Sequence, residues 1–311
     1  MKYLLILLLT LSFQIVNAQT AGDYYEQAKS DGGKKDYKAA LKAINKALVL
    51  DSMNPNYYIS KANYLVELKE YQEVFNTINK GILLNPKTDF LYLNRGDFLM
   101  SADYPDKAIE DFTKAMELAP NDTSKNHALV NRAAAKSSKR DFEGAYDDLH
   151  QAYLFDSSNI TILNNLGALC DDLGKGEEGI NYLLIVIKID STMEGSYVNI
   201  GFNYQHAGNY QKAAPYFDKA LQINPKSGIG YCNRSYNKLM LNDISGALKD
   251  IEMSLKLYDE NSYAYRTRAL IYLKQNKKDK ACADLQTASE KGFKQNYGDE
   301  VTKLIRDNCL H

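Results

Sequence analysis

The sequence predicts an all-α protein, a solenoid of about eight helix-turn-helix repeats closed by a C-terminal capping helix. Three observations predict it. Large apolar residues recur at three- and four-residue steps through most of the chain, which is the period of an amphipathic helix. A set of small and aromatic landmarks returns every 34 residues. Glycine, asparagine or proline interrupts the pattern at the points where a hairpin would turn or a pair would end. One helix pair cannot bury its apolar face alone, so pairs must stack and share a continuous core.

Residues 194–227 are the clearest copy: EGSYVNIGFNYQHAGNYQKAAPYFDKALQINPKS. Tyr197, Ile200, Gly201 and Tyr204 mark a first helix, and Ala213, Phe217 and Ala220 a second. Gly208 and Asn209 break the pattern between them, and Pro225 stops it. The stretch resembles the tetratricopeptide repeat in its aromatic, Leu-Gly, Tyr, Ala, Phe and Pro landmarks. It departs at Tyr197, where the family usually has Trp, and at Ile200, where it usually has Leu; the chain contains no Trp. The resemblance implies a right-handed superhelix with a concave groove lined by the first helix of each pair. It also implies that eight repeats make roughly one superhelical turn.

From the N-terminus, Lys2, the apolar run 3–11 and Val16-Asn17-Ala18 have the layout of a secretory signal peptide cleaved after Ala18. The run is too short to span a bilayer. The expected product is exported, periplasmic or at the cell surface, with no membrane insertion after cleavage. The solenoid is expected over 19–295. Its repeats fall at 21–54, 55–88, 89–122, 126–159, 160–193, 194–227, 228–261 and 262–295, with residues 123–125 as a three-residue insertion. In the first repeat, Asp31-Gly32-Gly33 predicts an early stop to the first helix. Residues 296–311 read as the capping helix, with Val301, Leu304 and Ile305 on its apolar side.

Composition excludes some functions. Of 311 residues, 45% are hydrophobic and 25% charged, and net charge is −1, so nothing marks a nucleic-acid binder. The 24 tyrosines read first as packing knobs between helices. The four histidines, His127, His150, His206 and His311, show no metal-binding or catalytic spacing. No glycine-rich phosphate loop or GxSxG motif occurs. A non-enzymatic binding module without cofactor is the expectation.

Comparing the repeats with one another yields two patterns. The sixth repeat position is asparagine in five consecutive repeats: Asn94, Asn131, Asn165, Asn199 and Asn233. Asparagine is a mediocre helix former, while its amide offers donors and an acceptor to an extended backbone. The row resembles the asparagine ladder in the superhelix of O-linked N-acetylglucosamine transferases, which implies binding of extended polypeptide. The other reading has each asparagine bonding a neighbouring helix and fixing the stacking angle; the two are compatible. Phe202 and Tyr236 join the candidate peptide-binding set, within an apolar strip that also holds Leu239 and Met240. Leu93 and Val198 read as covered by neighbouring helices, and Asp97, Asp171 and Asp172 as acidic groove positions. The partner is a protein or peptide of unknown identity. The alternative is a structural scaffold, or a self-associating part of an envelope complex, that uses its convex face or ends.

The second pattern is structural. Position seven is arginine and position 23 aspartate in the same four repeats: Arg95 with Asp111, Arg132 with Asp148, Arg234 with Asp250, and Arg268 with Asp284. The two positions face each other on an antiparallel hairpin, so each pair is expected to be an ion pair. Of the four cysteines, Cys170 and Cys232 lie two repeats apart, too far to bridge. Cys282 lies early in the last repeat's second helix and Cys309 ends the cap, so a Cys282–Cys309 disulfide is expected to staple the cap down.

Overall fold

The computed structural model describes residues 19–309, so the expected signal peptide at 1–18 lies outside the described residues. Those residues form helices and no strand. The helices run in pairs. They are α1 (Ala21–Gly33) with α2 (Tyr37–Leu50), α3 (Pro55–Glu67) with α4 (Tyr71–Leu84), and α5 (Asp89–Ser101) with α6 (Pro105–Leu118). Next come α7 (Asp122–Ser138) with α8 (Phe142–Phe155), α9 (Ile160–Asp172) with α10 (Gly176–Ile189), and α11 (Glu194–His206) with α12 (Tyr210–Ile223). The last are α13 (Gly228–Met240) with α14 (Ile244–Leu257), and α15 (Ser262–Lys274) with α16 (Lys278–Glu290). A short α17 (Phe293–Tyr297) and α18 (Glu300–Cys309) close the described chain. It divides into two compact units, one ending at Asn131 and the other beginning at Arg132.

Within each hairpin the core is a size match. Position eight of the first helix is small and position 24 of the second is large, and both are buried. Gly96 lies under Phe112, Gly167 under Leu183 and Gly201 under Phe217. Ala28, Ala62, Ala133 and Ala269 take the same place opposite Ile44, Ile78, Leu149 and Leu285. A Cβ at Gly201 would come within 2.7 Å of the Phe217 ring, which is fully buried and cannot swing away. Gly201→Val is therefore expected to destabilise its hairpin by roughly 1–3 kcal/mol through overpacking. Denaturant unfolding checks this, and an unchanged midpoint would contradict it.

The first helices also touch across pairs: α1 with α3 and α3 with α5 in the first unit, and α9 with α11, α11 with α13 and α13 with α15 in the second. In each unit, then, first helices lie side by side and share one face. Short polar caps set where the helices begin. Thr20 and Asp23 form a reciprocal capping box on α1, Asn54, Asn159 and Asn261 cap first helices, and Asp36, Asp141 and Asp243 cap second ones.

The turn is the same in all eight hairpins. Its fifteenth-position residue has positive φ: Lys35, Lys69, Asp103, Arg140, Gly174, Gly208, Asn242 and Asn276. Only two of these eight are glycine, so the left-handed turn is fixed by the packing of the two helices rather than by residue type.

One local expectation needs correction. α1 does not stop early; it reaches Gly33 and has 13 residues like the other first helices except α7. The glycine at 32 is kept for contact, because the Tyr64 ring lies where a Cβ would stand, 2.6 Å from it. Tyr64 also donates its hydroxyl to the Ala28 carbonyl at 3.0 Å. The insertion at 123–125 is taken up by α7, which has 17 residues.

Candidate functional site

The four arginine–aspartate pairs are two-pronged. Arg Nε and Nη2 donate to the two carboxylate oxygens at 2.7 and 2.7 Å in Arg95–Asp111, and at 2.8 and 2.7 Å in Arg132–Asp148. The distances are 2.7 and 2.8 Å in Arg234–Asp250, and 2.8 and 2.7 Å in Arg268–Asp284. All four carboxylates are buried. Three of the arginines also lie over the tyrosine one helical turn earlier, at Tyr92, Tyr231 and Tyr265. These groups are tied down inside hairpins and are not offered to a ligand.

The five asparagines divide. In the first unit, the Asn94 amide donates to the Phe90 carbonyl of its own helix at 2.7 Å. Asn131 donates to Asp97 at 2.8 Å and so links α7 to α5, the stacking role weighed for this row. In the second unit Asn165, Asn199 and Asn233 stand on α9, α11 and α13, which touch in sequence. Their side-chain amides make no hydrogen bond among the described residues, and none of the three is fully buried. Asn165 lines an open cavity of about 340 Å³ together with Ala134, Ala168 and Asp172.

Phe202, on α11, is 37% exposed, with its ring 5.9 Å from that of His206. His206 in turn meets Asp171 at 2.8 Å. Tyr236 is half-buried and serves two surfaces: it lines a cavity of about 440 Å³ with Met240 and Leu270, and it lies against Arg266. Leu239 departs from its expected place on an open apolar strip. It is 6% exposed because α14 and α15 close over it. Val198 is covered, at 7% exposed.

Three features escaped the sequence. Arg266 is 6% exposed and sits between the rings of Tyr236 and Tyr263. Its one charge partner among the described residues is Glu300 of α18. A signal existed: Glu300 follows Arg266 by 34 residues, one repeat step, although the repeat pattern itself ends at 295. Phe293, assigned to the last repeat, is fully buried beneath the cap and stacks on Tyr263. Thirdly, a cavity of about 630 Å³ opens in the first unit between α3, α4 and α5. Val66, Phe75 and Phe98 form its apolar wall, Tyr71 its rim, and Asp97 its acidic side. Burial against these walls pushes the Asp97 carboxyl above the usual carboxylate range, opposed by the bond from Asn131. The pair of aromatics on a second helix, Tyr71 and Phe75, was the available signal.

Cys282 and Cys309 are joined, with Cα atoms 5.7 Å apart. Cys170 and Cys232 are free and buried, and burial pushes each thiol up to about 12. Among the described residues no group of three or more His, Cys, Asp or Glu could hold a metal ion. None of the helices described is long and apolar enough to cross a membrane.

Two stretches match the family model of the tetratricopeptide repeat, residues 91–122 and 196–227. Human DnaJ homolog subfamily C member 7 is 26% identical over 308 residues. That match takes in 93% of this chain and 61% of the relative, so the chain spans about three-fifths of its length. A solved tetratricopeptide repeat protein from Parabacteroides merdae superposes with a TM-score of 0.62 at 18% identity, over 93% of this chain and all of the other. PilW, described as a widely conserved type IV pilus biogenesis factor, superposes at 0.59 with 19% identity, over 68% of this chain and 97% of the other. These likenesses show the fold, an all-α helical repeat solenoid.

Proposed function

This chain is a tetratricopeptide-repeat protein, and we propose that it is an exported, non-enzymatic module that holds an extended polypeptide along its first-helix faces. Such repeats are in general protein-interaction modules, so a protein or peptide partner follows from the family. The groove site, the extended form of the partner and the export are this proposal. Export is supported by the signal-like layout of residues 1–18.

One observation supports the groove above the rest: three unspent amides, Asn165, Asn199 and Asn233, on three helices that touch in order. An amide can donate to a backbone carbonyl and accept from a backbone N–H whatever the side chains are. A row of them suits a partner recognised by its main chain. Phe202, exposed beside Asn199, adds an apolar contact. The test is an affinity pull-down from cell envelopes with wild type and Asn165→Ala/Asn199→Ala. The double variant is expected to lose most of the captured partner while keeping its helical circular dichroism. An unchanged partner list would reject the ladder.

A second reading has its own observation. Position 29, on the second helices, is exposed and apolar in three repeats: Val49 at 84%, Leu83 at 78% and Leu154 at 72%. A scaffold that contacts its partners by the outer helices would use these residues. It predicts partner loss in Leu83→Asp and none in the asparagine variant.

A further inference from the structure

We infer that the cavity between α3, α4 and α5 is a subsite for one basic side chain, lysine or arginine, of the bound polypeptide. This rests on the polypeptide-binding reading above and adds what that reading lacks, a preference for sequence. The cavity, at about 630 Å³, is larger than the other described cavities and lies wholly within the first unit.

Its walls and its polar groups select the same guest. Val66, Phe75 and Phe98 offer an apolar surface, with the two phenylalanine rings edge to face at 6.2 Å. A lysine or arginine stem is apolar over three or four methylenes and packs on such a wall. Its charged head would then reach Asp97. One carboxylate oxygen of Asp97 accepts from Asn131, and the other has no partner among the described residues. Two further groups present acceptors, Asn94 and Ser101, while the Asn63 amide and the Tyr71 hydroxyl can either donate or accept. The Asn94 amide gives one of its two N–H groups to the Phe90 carbonyl, which leaves its oxygen and one N–H. The Ser101 hydroxyl donates to the Asp97 carbonyl, which leaves its oxygen too. No lysine, arginine or histidine lines the cavity.

Other guests fit worse. A leucine or phenylalanine would strip water from Asp97 and give the carboxylate nothing in return. A glutamate would meet a like charge. A basic guest supplies the missing counter-charge, and by seating on the apolar wall it covers the exposed Asp97 carboxylate from water, which strengthens the pair.

The test is selection of a phage-displayed library of random dodecapeptides on the whole chain, followed by titration of one selected peptide. Selected sequences are expected to share a lysine or arginine at one register. Replacing that residue with norleucine is expected to weaken binding at least tenfold to wild type and less than twofold to Asp97→Asn. The substitution is nearly isosteric and keeps an oxygen for Asn131, so the fold is expected to stand, as circular dichroism would show. Basic-peptide binding should also weaken as pH falls through the Asp97 carboxyl, and start to do so above the pH at which a free aspartate protonates. Selected peptides with no basic residue, or a norleucine penalty of equal size in both proteins, overturn the subsite and leave the polypeptide reading standing. A selection that enriches no peptide overturns both.

Discussion

Asp250→Ala is expected to destabilise the α13–α14 hairpin by about 3 kcal/mol, toward the lower end of what breaking a buried ion pair costs. Asp250 is 3% exposed and receives three charge-assisted bonds, two from Arg234 and one from Lys238 at 2.8 Å. Removing it leaves two cations facing each other beside the core. Water softens the loss, because the Arg234 and Lys238 side chains are 20% and 28% exposed. Arg234 also keeps Asp218, a surface partner at 2.9 Å. Arg234→Ala should cost less, since Asp250 retains Lys238. The double variant should lie well short of the sum, by at least 1 kcal/mol, because residues in one network do not add. Repeat arrays can open locally, so the measurement is hydrogen exchange of the α13 and α14 amides rather than a global midpoint. Strictly additive losses would show that the pair is a neighbourly arrangement without coupling.

Removing the disulfide, as Cys282→Ser/Cys309→Ser, is expected to cost the C-terminal cap roughly 3–4 kcal/mol by the chain-entropy account. The two cysteines are 27 residues apart, a loop that contains α17 and most of α18. The loss should be local. Val301, Leu304 and Ile305 pack against the cluster of Leu285 and Ala288, and their contact is what the bridge holds in place. Glu300 would leave with the cap, so Arg266 would lose its charge partner while 6% exposed. Faster amide exchange is therefore expected in α18 and in α15 around Arg266, with α9 to α12 unaffected. Unaltered protection of α18 in the double variant would mean that packing alone holds the cap.

How much of this could be read beforehand depended on repetition. Gly201, Ala213, Phe217 and Ala220 return in kind at 34-residue steps, and a periodic core was legible because stacking makes the same demand at each step. The arginine–aspartate partnership was legible for the same reason: four repeats have both residues and four have neither. Arg266 and Glu300 were not, since each occurs once and their contact joins a repeat to the cap. The cavity beside Asp97 depends on Tyr71 and Phe75. Tyr71 recurs as Tyr37 and Tyr210, but only repeat four, with Phe142 and Tyr146, has a second aromatic at the Phe75 position, so comparison among repeats did not single the pair out. Asp31-Gly32-Gly33 misled for a different reason. Glycine breaks helices in isolation, but here its missing side chain is the seat for Tyr64, and a tertiary contact outweighs local propensity.

The left-handed turn has a consequence for how such a chain can change over generations. Six of the eight turns use a residue with a side chain, and for Lys35, Lys69 and Arg140 this conformation costs roughly 1–2 kcal/mol, while Asp103, Asn242 and Asn276 tolerate it better. All six are exposed; Asn242 lines the cavity beside Tyr236, and the other five line none of the described cavities. At those five, stability is thus held in reserve away from the candidate sites. A substitution such as Lys69→Gly could offset a destabilising change on a binding face without altering that face. The surfaces of this molecule are free to drift toward new partners while the turns absorb the cost.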